Sequence, residues 1–188
     1  NGSGKTSTLD IICGCKGADS GEIRINSKSL HTSPLEVKHK IGYLPDTPPL
    51  HSDMSVQDCI TLAATLHKTA RHLIKPKTNA ILDKSELASV RRKTISQLSK
   101  GYKQRIAFAQ ALVHSPEILV LDEPTDGLDP VQIVATRKLI TNLSKNHTIL
   151  ISSHNLQEIQ NLCSSIVIIE GGEIVAKGDY QTIVNRYS

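Results

Sequence analysis

Three short, continuous apolar runs mark the second half of this chain, Ile118-Leu119-Val120-Leu121, residues 148–152 and residues 165–169, and they alternate with stretches of helical length at 101–114, 130–145 and 156–163. A strand that is apolar on both faces must be covered on both faces, and the intervening helices are the cover. Parallel neighbours need long crossovers, which those helices also provide. The expectation is an α/β fold with a mostly parallel sheet flanked by helices. Gly171-Gly172 then joins residues 166–170 to 173–176 as a tight hairpin.

The first half reads differently. Residues 6–13 are helical and stop at Gly14, 21–25 alternate as a half-buried strand, and 41–44 form a short strand that ends at Pro45. From 55 to 73 the residues Val56, Ile60, Leu62, Ala63, Leu66 and Ala70 recur at helical spacing, with Ser55 as cap and Asp58 in the first turn. Pro76 is expected to interrupt, and 79–90 to form another helix. At 188 residues one domain is expected. It spans 1–188, with a helical, basic subdomain at about 46–113 inserted between core segments 1–45 and 114–188.

Composition narrows the function classes. No apolar run approaches the ~18 residues of a membrane-spanning helix, so the chain is expected to be soluble by itself. Cys13, Cys15, Cys59 and Cys163 match neither a redox pair nor a zinc knuckle and read as reduced thiols. The net charge of +4 comes with one Phe and no Trp, so no aromatic platform accompanies the Lys and Arg side chains and no nucleic-acid partner is expected.

The opening residues Asn1-Gly2-Ser3-Gly4-Lys5-Thr6-Ser7 have the chemistry of a phosphate cradle. Glycines let backbone N–H groups turn toward an anion, and the following helix offers its positive end. Lys5 would neutralise the β- and γ-phosphates, and Thr6 would offer its hydroxyl to Mg²⁺. The pattern G-x-x-x-x-G-K-[ST] is complete only with a glycine two residues before Asn1.

A second motif stands at Ile118-Leu119-Val120-Leu121-Asp122-Glu123-Pro124. In open parallel sheets ligands bind beyond the carboxyl ends of the strands. There Asp122 is expected to hold the Mg²⁺ shell and Glu123 to polarise a water for in-line attack on a γ-phosphate.

With Leu98-Ser99-Lys100-Gly101-Tyr102-Lys103-Gln104-Arg105, these motifs resemble, in order and spacing, the nucleotide-binding domain of an ABC transporter over essentially all 188 residues. The stretch at 98–105 is similar to the family signature LSGGQ followed by KQR. Ser99 is expected to cap the next helix, whose N–H groups then face a partner's γ-phosphate. The resemblance implies an ATP-binding, ATP-hydrolysing subunit working as a homodimer. Each ATP lies between one subunit's phosphate loop and the signature Ser99, Lys100, Gly101 and Tyr102 of the other. His154, after the strand at 148–153, matches the family's switch histidine at the γ-phosphate. Asp126-Gly127-Leu128-Asp129 matches the loop that passes between subunits, with Asp129 also the cap of a helix opened by Pro130.

Departures from the family pattern leave alternatives open. Lys100 replaces a glycine and either adds charge near phosphate or faces water; Tyr102 replaces a glutamine. Asp126 replaces the common serine and either tunes subunit contact or is neutral. Asp46, in Leu44-Pro45-Asp46, stands where the family usually has a glutamine that reaches Mg²⁺ and links the site to the membrane subunit. A shorter carboxylate approaches a metal through water.

An acidic residue there, with Lys100-Gly101-Tyr102, resembles a branch of bacterial exporters whose ATPase and membrane subunits are separate chains. The expected partner is therefore a transmembrane permease subunit, docked on the helical region, with the chain cytoplasmic and peripheral on the inner face of the cell membrane. The competing reading is a soluble ABC-type ATPase acting on ribosome or DNA. A catalytically dead cassette is disfavoured by Lys5, Thr6, Asp122, Glu123 and His154 together. Because a phosphate loop is held by the strand before it, N-terminal strands are read as missing, and the isolated chain is expected to be unstable or to bind nucleotide poorly.

Overall fold

The structure is a computed structural model that describes residues 2–187. In chain order the elements are α1 (Lys5–Ile12), β1 (Arg24–Ile25), β2 (Lys28–Ser29), α2 (Pro34–His39), β3 (Ile41–Leu44), α3 (Val56–Leu66), α4 (Arg71–Lys84), α5 (Lys100–Leu112), β4 (Ile118–Asp122), α6 (Pro130–Leu143), β5 (Thr148–Ser152), α7 (Leu156–Leu162), β6 (Ile166–Glu170), β7 (Glu173–Gly178) and α8 (Tyr180–Tyr187). Strands β3, β4 and β5 form a parallel sheet in that order, with Leu44 opposite Leu121 and Asp122 opposite Ser152. The expected α/β architecture is therefore present.

The caps foreseen at Ser55 and Asp129 and the helix stop foreseen at Gly14 are formed. Ser55 Oγ accepts from the Asp58 N–H at 3.1 Å, and Asp129 Oδ1 accepts from the Gln132 N–H at 2.9 Å. Gly14 ends α1 with φ +69° and donates its N–H to the Ile11 carbonyl.

Four expectations need correction. Pro76 does not break a helix: α4 runs through it from Arg71 to Lys84. Only the hydrogen bond to the carbonyl four residues back is lost in that exposed early turn, while Thr78, Ile81 and Leu82 are buried. The helix predicted over 79–90 is consequently the end of α4 followed by a short 3₁₀ turn at Ala88–Val90. The helix predicted over 55–73 stops at Leu66, because Lys68 takes φ +54° and breaks the repeat. The strand predicted over 21–25 keeps only Arg24–Ile25, the part that pairs with β2.

The continuous apolar pattern also overstated coverage. β4 is enclosed, with Leu119, Val120 and Leu121 at 0% exposure, but β5 leaves Thr148 and Leu150 exposed. β6 pairs antiparallel with β7 and is not hydrogen-bonded to β5, since the two-residue turn makes the local partner the nearer one.

The main core joins α3, α4 and α5 to one face of the sheet through Val56, Ile60, Leu82, Ile106, Phe108, Leu119 and Leu121, while Leu9, Val37, Ile41 and Val120 seal the other face under α1 and α2. β3 lies directly against α5: a Cβ on residue 42 would collide with the Ala111 carbonyl oxygen, which is why glycine stands there. The sheet is thus clamped between helices, and the loops after β3, β4 and β5 emerge at one end.

Candidate active site

Those three loops begin at Pro45, Glu123 and Ser153, and register brings them together because Leu44, Leu121 and Ile151 are aligned neighbours. Asp122, the last residue of β4, is 1% exposed. Its Oδ1 accepts from the Ser152 hydroxyl across the sheet, while its Oδ2 is buried with no hydrogen-bond partner. An unpaired, negatively charged oxygen at this depth is costly unless something electropositive meets it. It is the oxygen donor that a hard divalent cation takes, so the residues present fit Mg²⁺. Among the described residues no group of three or more His, Cys, Asp and Glu side chains is gathered around a metal position.

Glu123 follows in the left-handed region at φ +45°, sparsely populated by residues with side chains. Its N–H donates to the carbonyl and the hydroxyl oxygen of Ser152 at 3.2 and 3.1 Å, and these bonds hold the turn. The turn lifts the carboxylate off the strand line and onto the next loop. There Oε2 lies 2.8 Å from His154 Nδ1 and accepts the His154 backbone N–H at 3.3 Å. The Glu123 side chain is 16% exposed and the His154 side chain 58%, so the pair sits at the mouth of the site with its histidine open to a ligand.

The opening loop is built as its glycines require. Gly4 occupies φ +96° as the residue before α1, a conformation glycine adopts without strain. Lys5 is half-buried with Nζ 3.3 Å from Ser3 Oγ, and Thr6 and Ser7 are exposed in the first turn of α1. The Gly172 N–H of the β6–β7 turn donates to the Ser3 carbonyl at 3.1 Å and props the loop from the side. Gly2 has φ +85°. Asn1, expected to contribute to the cradle, lies outside the described residues.

Ser99 stands at the start of α5, as expected, but its side chain makes no capping hydrogen bond. The N-terminal turn of α5 is docked instead on the loop that follows β4. Gln104 Nε2 donates to the Pro124 carbonyl at 2.8 Å, and a Cβ on Gly101 would stand 2.7 Å from Gln132 Nε2. The Lys100 ammonium packs against Gly127, in the space a side chain there would fill. It thus contacts a loop of its own chain, an arrangement neither alternative for this residue anticipated. Tyr102 is half-buried against the core, with the Arg105 guanidinium 6.0 Å from its ring centre.

The residues that depart from the family pattern converge. Asp46, Lys100 and Asp126 line one cavity of about 400 Å³ together with Glu123 and Gln104. Asp46 is therefore brought to Glu123 and Lys100. Asp129 caps α6.

Sequence reasoning missed Ser152, Thr125, Ser153 and Glu158. Glu158 stands three residues after the helix cap Asn155, a spacing that reads as a capping pair on a surface helix. Yet it is 2% exposed. The signal available was the serine pair before His154, whose hydroxyls need partners once that loop is packed.

Comparison with known proteins points to one family. A family model described as ABC transporter matches residues 1–126. The chain is 34% identical to a bacitracin transport ATP-binding protein of Bacillus licheniformis, covering 99% of this chain and 60% of that one. It is also 34% identical to a lantibiotic transport ATP-binding protein of Streptococcus pyogenes, covering 96% and 76%. Among solved structures, one titled as the ATP binding subunit of an ABC transporter superposes with a TM-score of 0.86 at 29% identity, covering 100% of this chain and 78% of that one. The chain spans about 60% of the length of the first curated relatives it matches.

Proposed function

This chain belongs to the ABC transporter family, and from that premise we propose that it is the part of a transporter that binds and hydrolyses ATP. The observation that carries the proposal is the left-handed turn at Glu123, which sets a carboxylate on His154 immediately after Asp122 with its unpaired oxygen.

In the proposed reaction the N–H groups around Gly2, Ser3, Gly4, Thr6 and Ser7 and the ammonium of Lys5 hold the phosphates. Glu123 accepts a proton from the water that attacks the γ-phosphorus in line. His154 holds Glu123 through Oε2 and is exposed enough to reach the γ-phosphate. Mg²⁺, held by Thr6 and Asp122 with Asp46 as a further carboxylate acting through water, would spread the charge that develops on the phosphate oxygens.

The same reading makes the working form a homodimer closed over two ATP molecules. It is supported by Ser99, exposed at the start of α5 without a capping hydrogen bond, and by Val131 and Val134, 79% and 51% exposed on α6 beside Asp129. A transmembrane permease subunit is the proposed partner, seated on the helical subdomain of about residues 46–113. There Leu66 and Leu73 are 72% and 40% exposed on α3 and α4. Among the described residues no helix is long and apolar enough to cross a membrane. The proposed location is the cytoplasmic face of the membrane. Relatives named for bacitracin and lantibiotic transport support a transporter, and export is its proposed direction.

The test is ATP hydrolysis by the protein in its full natural length, with and without the membrane protein it associates with. Stimulation by that partner in vesicles is the expected result. Hydrolysis stimulated only by ribosomes or DNA would replace the transport reading with the soluble one.

A further inference from the structure

Glu158 is a buried carboxylate that the proposed reaction does not use. Its carboxylate is 2% exposed, and one oxygen serves two loops: Oε2 accepts from the Thr125 hydroxyl at 2.8 Å and from the Ser153 hydroxyl at 2.9 Å. Oε1 faces Arg137, whose Nε is 3.7 Å away, too far for a hydrogen bond. Thr125 lies two residues after Glu123, and Ser153 immediately precedes His154. The Ser153 hydroxyl is fixed from its other side as well, since its oxygen accepts the Asn155 N–H at 3.1 Å.

Two features separate this arrangement from a helix cap. A glutamate at the third position of a capping pair reaches back to the N–H of the cap residue. Here that N–H is taken by Ser153, and the Glu158 side chain turns to Thr125 and Ser153. Burying a carboxylate that keeps one oxygen short of hydrogen bonds is also a poor way to stabilise a helix, since apolar replacements of such groups are often neutral or stabilising. The cost is retained where the loop after β4 meets the loop after β5, and those loops carry the Glu123–His154 contact of 2.8 Å.

We propose that Glu158 is a positioning residue for ATP hydrolysis: its carboxylate ties the turn after Glu123 to the residue before His154 and so holds the two side chains in register. The proposal rests on the reading of Glu123 as the base. It assigns Thr125 and Ser153 to the same device, as the two hydroxyls through which Glu158 acts.

The experiment uses the protein in its full natural length and compares Glu158→Gln, the pair Thr125→Val with Ser153→Ala, the combination of all three, and Glu123→Gln. Melting temperature, ATP KM and kcat are measured for each. Glu158→Gln is expected to lower kcat about 10- to 100-fold, as small displacements of reacting groups do, with KM within about twofold of wild type. The hydroxyl pair is expected to lower kcat similarly and to add little to Glu158→Gln, because both break one connection. Glu158→Asp, which keeps the charge, is expected to recover part of the loss. Normal kcat in the hydroxyl pair, or a lower melting temperature with normal turnover by the folded protein, overturns the proposal even if Glu158→Gln fails to fold. Glu123→Gln separates the two readings: if it still turns over, the base assignment fails, and if it is inactive while the Glu158 and hydroxyl variants are normal, only the positioning role fails.

Discussion

His154 Nδ1 rests 2.8 Å from Glu123 Oε2, a contact between residues 31 positions apart that exists because β4 and β5 are parallel neighbours and Glu123 turns left-handed off the end of its strand. This contact gives the histidine a hold on the proposed base in addition to any contact with phosphate. Replacing Glu123 by glutamine keeps the shape and removes the proton acceptor. ATP is expected to bind as before, while kcat falls by on the order of 10²–10⁴-fold. Single-turnover kinetics with radiolabelled ATP measures this directly, and normal hydrolysis removes the assignment.

Lys5 is half-buried at the first position of α1 with its ammonium beside Ser3. Lys5→Ala removes the cation from the phosphate cradle without disturbing Gly4, which sets the loop. Nucleotide binding by the full-length protein, followed by calorimetry, is expected to be lost. Unchanged ATP affinity would take the phosphate role away from this lysine.

A pH dependence of stability is expected far from the site. His114 is 3% exposed, its ring stacks on His67 at 3.6 Å between centres, and His39 and Lys77 also face it. Burial first, and then the neighbouring His67, His39 and Lys77, lower its pKa to about 4 against the opposing hydrogen bond to the Ile41 carbonyl, and burial lowers that of His67 as well. The unfolded chain takes up these protons near the ordinary value of about 6.5 while the folded chain refuses them. Stability is therefore fully present above pH ~6.5 and is lost as pH falls toward the folded pKa, by on the order of 3 kcal/mol at His114. Urea titrations at pH 7.5 and 5 are expected to show the drop, and His114→Gln to flatten it; an unchanged slope in that variant would refute the account.

Gly42 is a test of packing alone. A methyl group there would meet the Ala111 carbonyl oxygen, with Leu119 Cδ2 and Pro116 Cγ at 2.8 and 2.9 Å. Gly42→Ala is expected to destabilise by about 1–3 kcal/mol, as overpacked cores do. In a domain of this size that is a fall in melting temperature of roughly 2–4 °C per kcal/mol. An unchanged melting temperature would mean that β3 and α5 separate freely.

Much of the site was legible because its parts are local. Glycine and lysine spacing around Gly4 and Lys5, the cap at Asp129 and the acidic pair closing an apolar run each draw on interactions within a few residues, which a linear pattern records. The failures have one cause in common. Pro76 reads as a stop because its own backbone lacks a donor, but buried Thr78, Ile81 and Leu82 hold α4 together from outside the local pattern.

Residue order alone pointed to the groups proposed to bind phosphate and accept a proton, because those abilities belong to side-chain chemistry and to turns a few residues long. It was also sufficient for the parallel pairing of β4 with β5, because a largely apolar strand has few other ways to be covered, but not for β6, which pairs with β7. Which groups meet was decided only when the chain closed on itself. The Lys100 ammonium lies on Gly127, Asp46 shares a cavity with Glu123, and Glu158 joins Thr125 to Ser153. These contacts cross between loops brought together by strand register, and no period or cap in the sequence encodes a distance across the sheet.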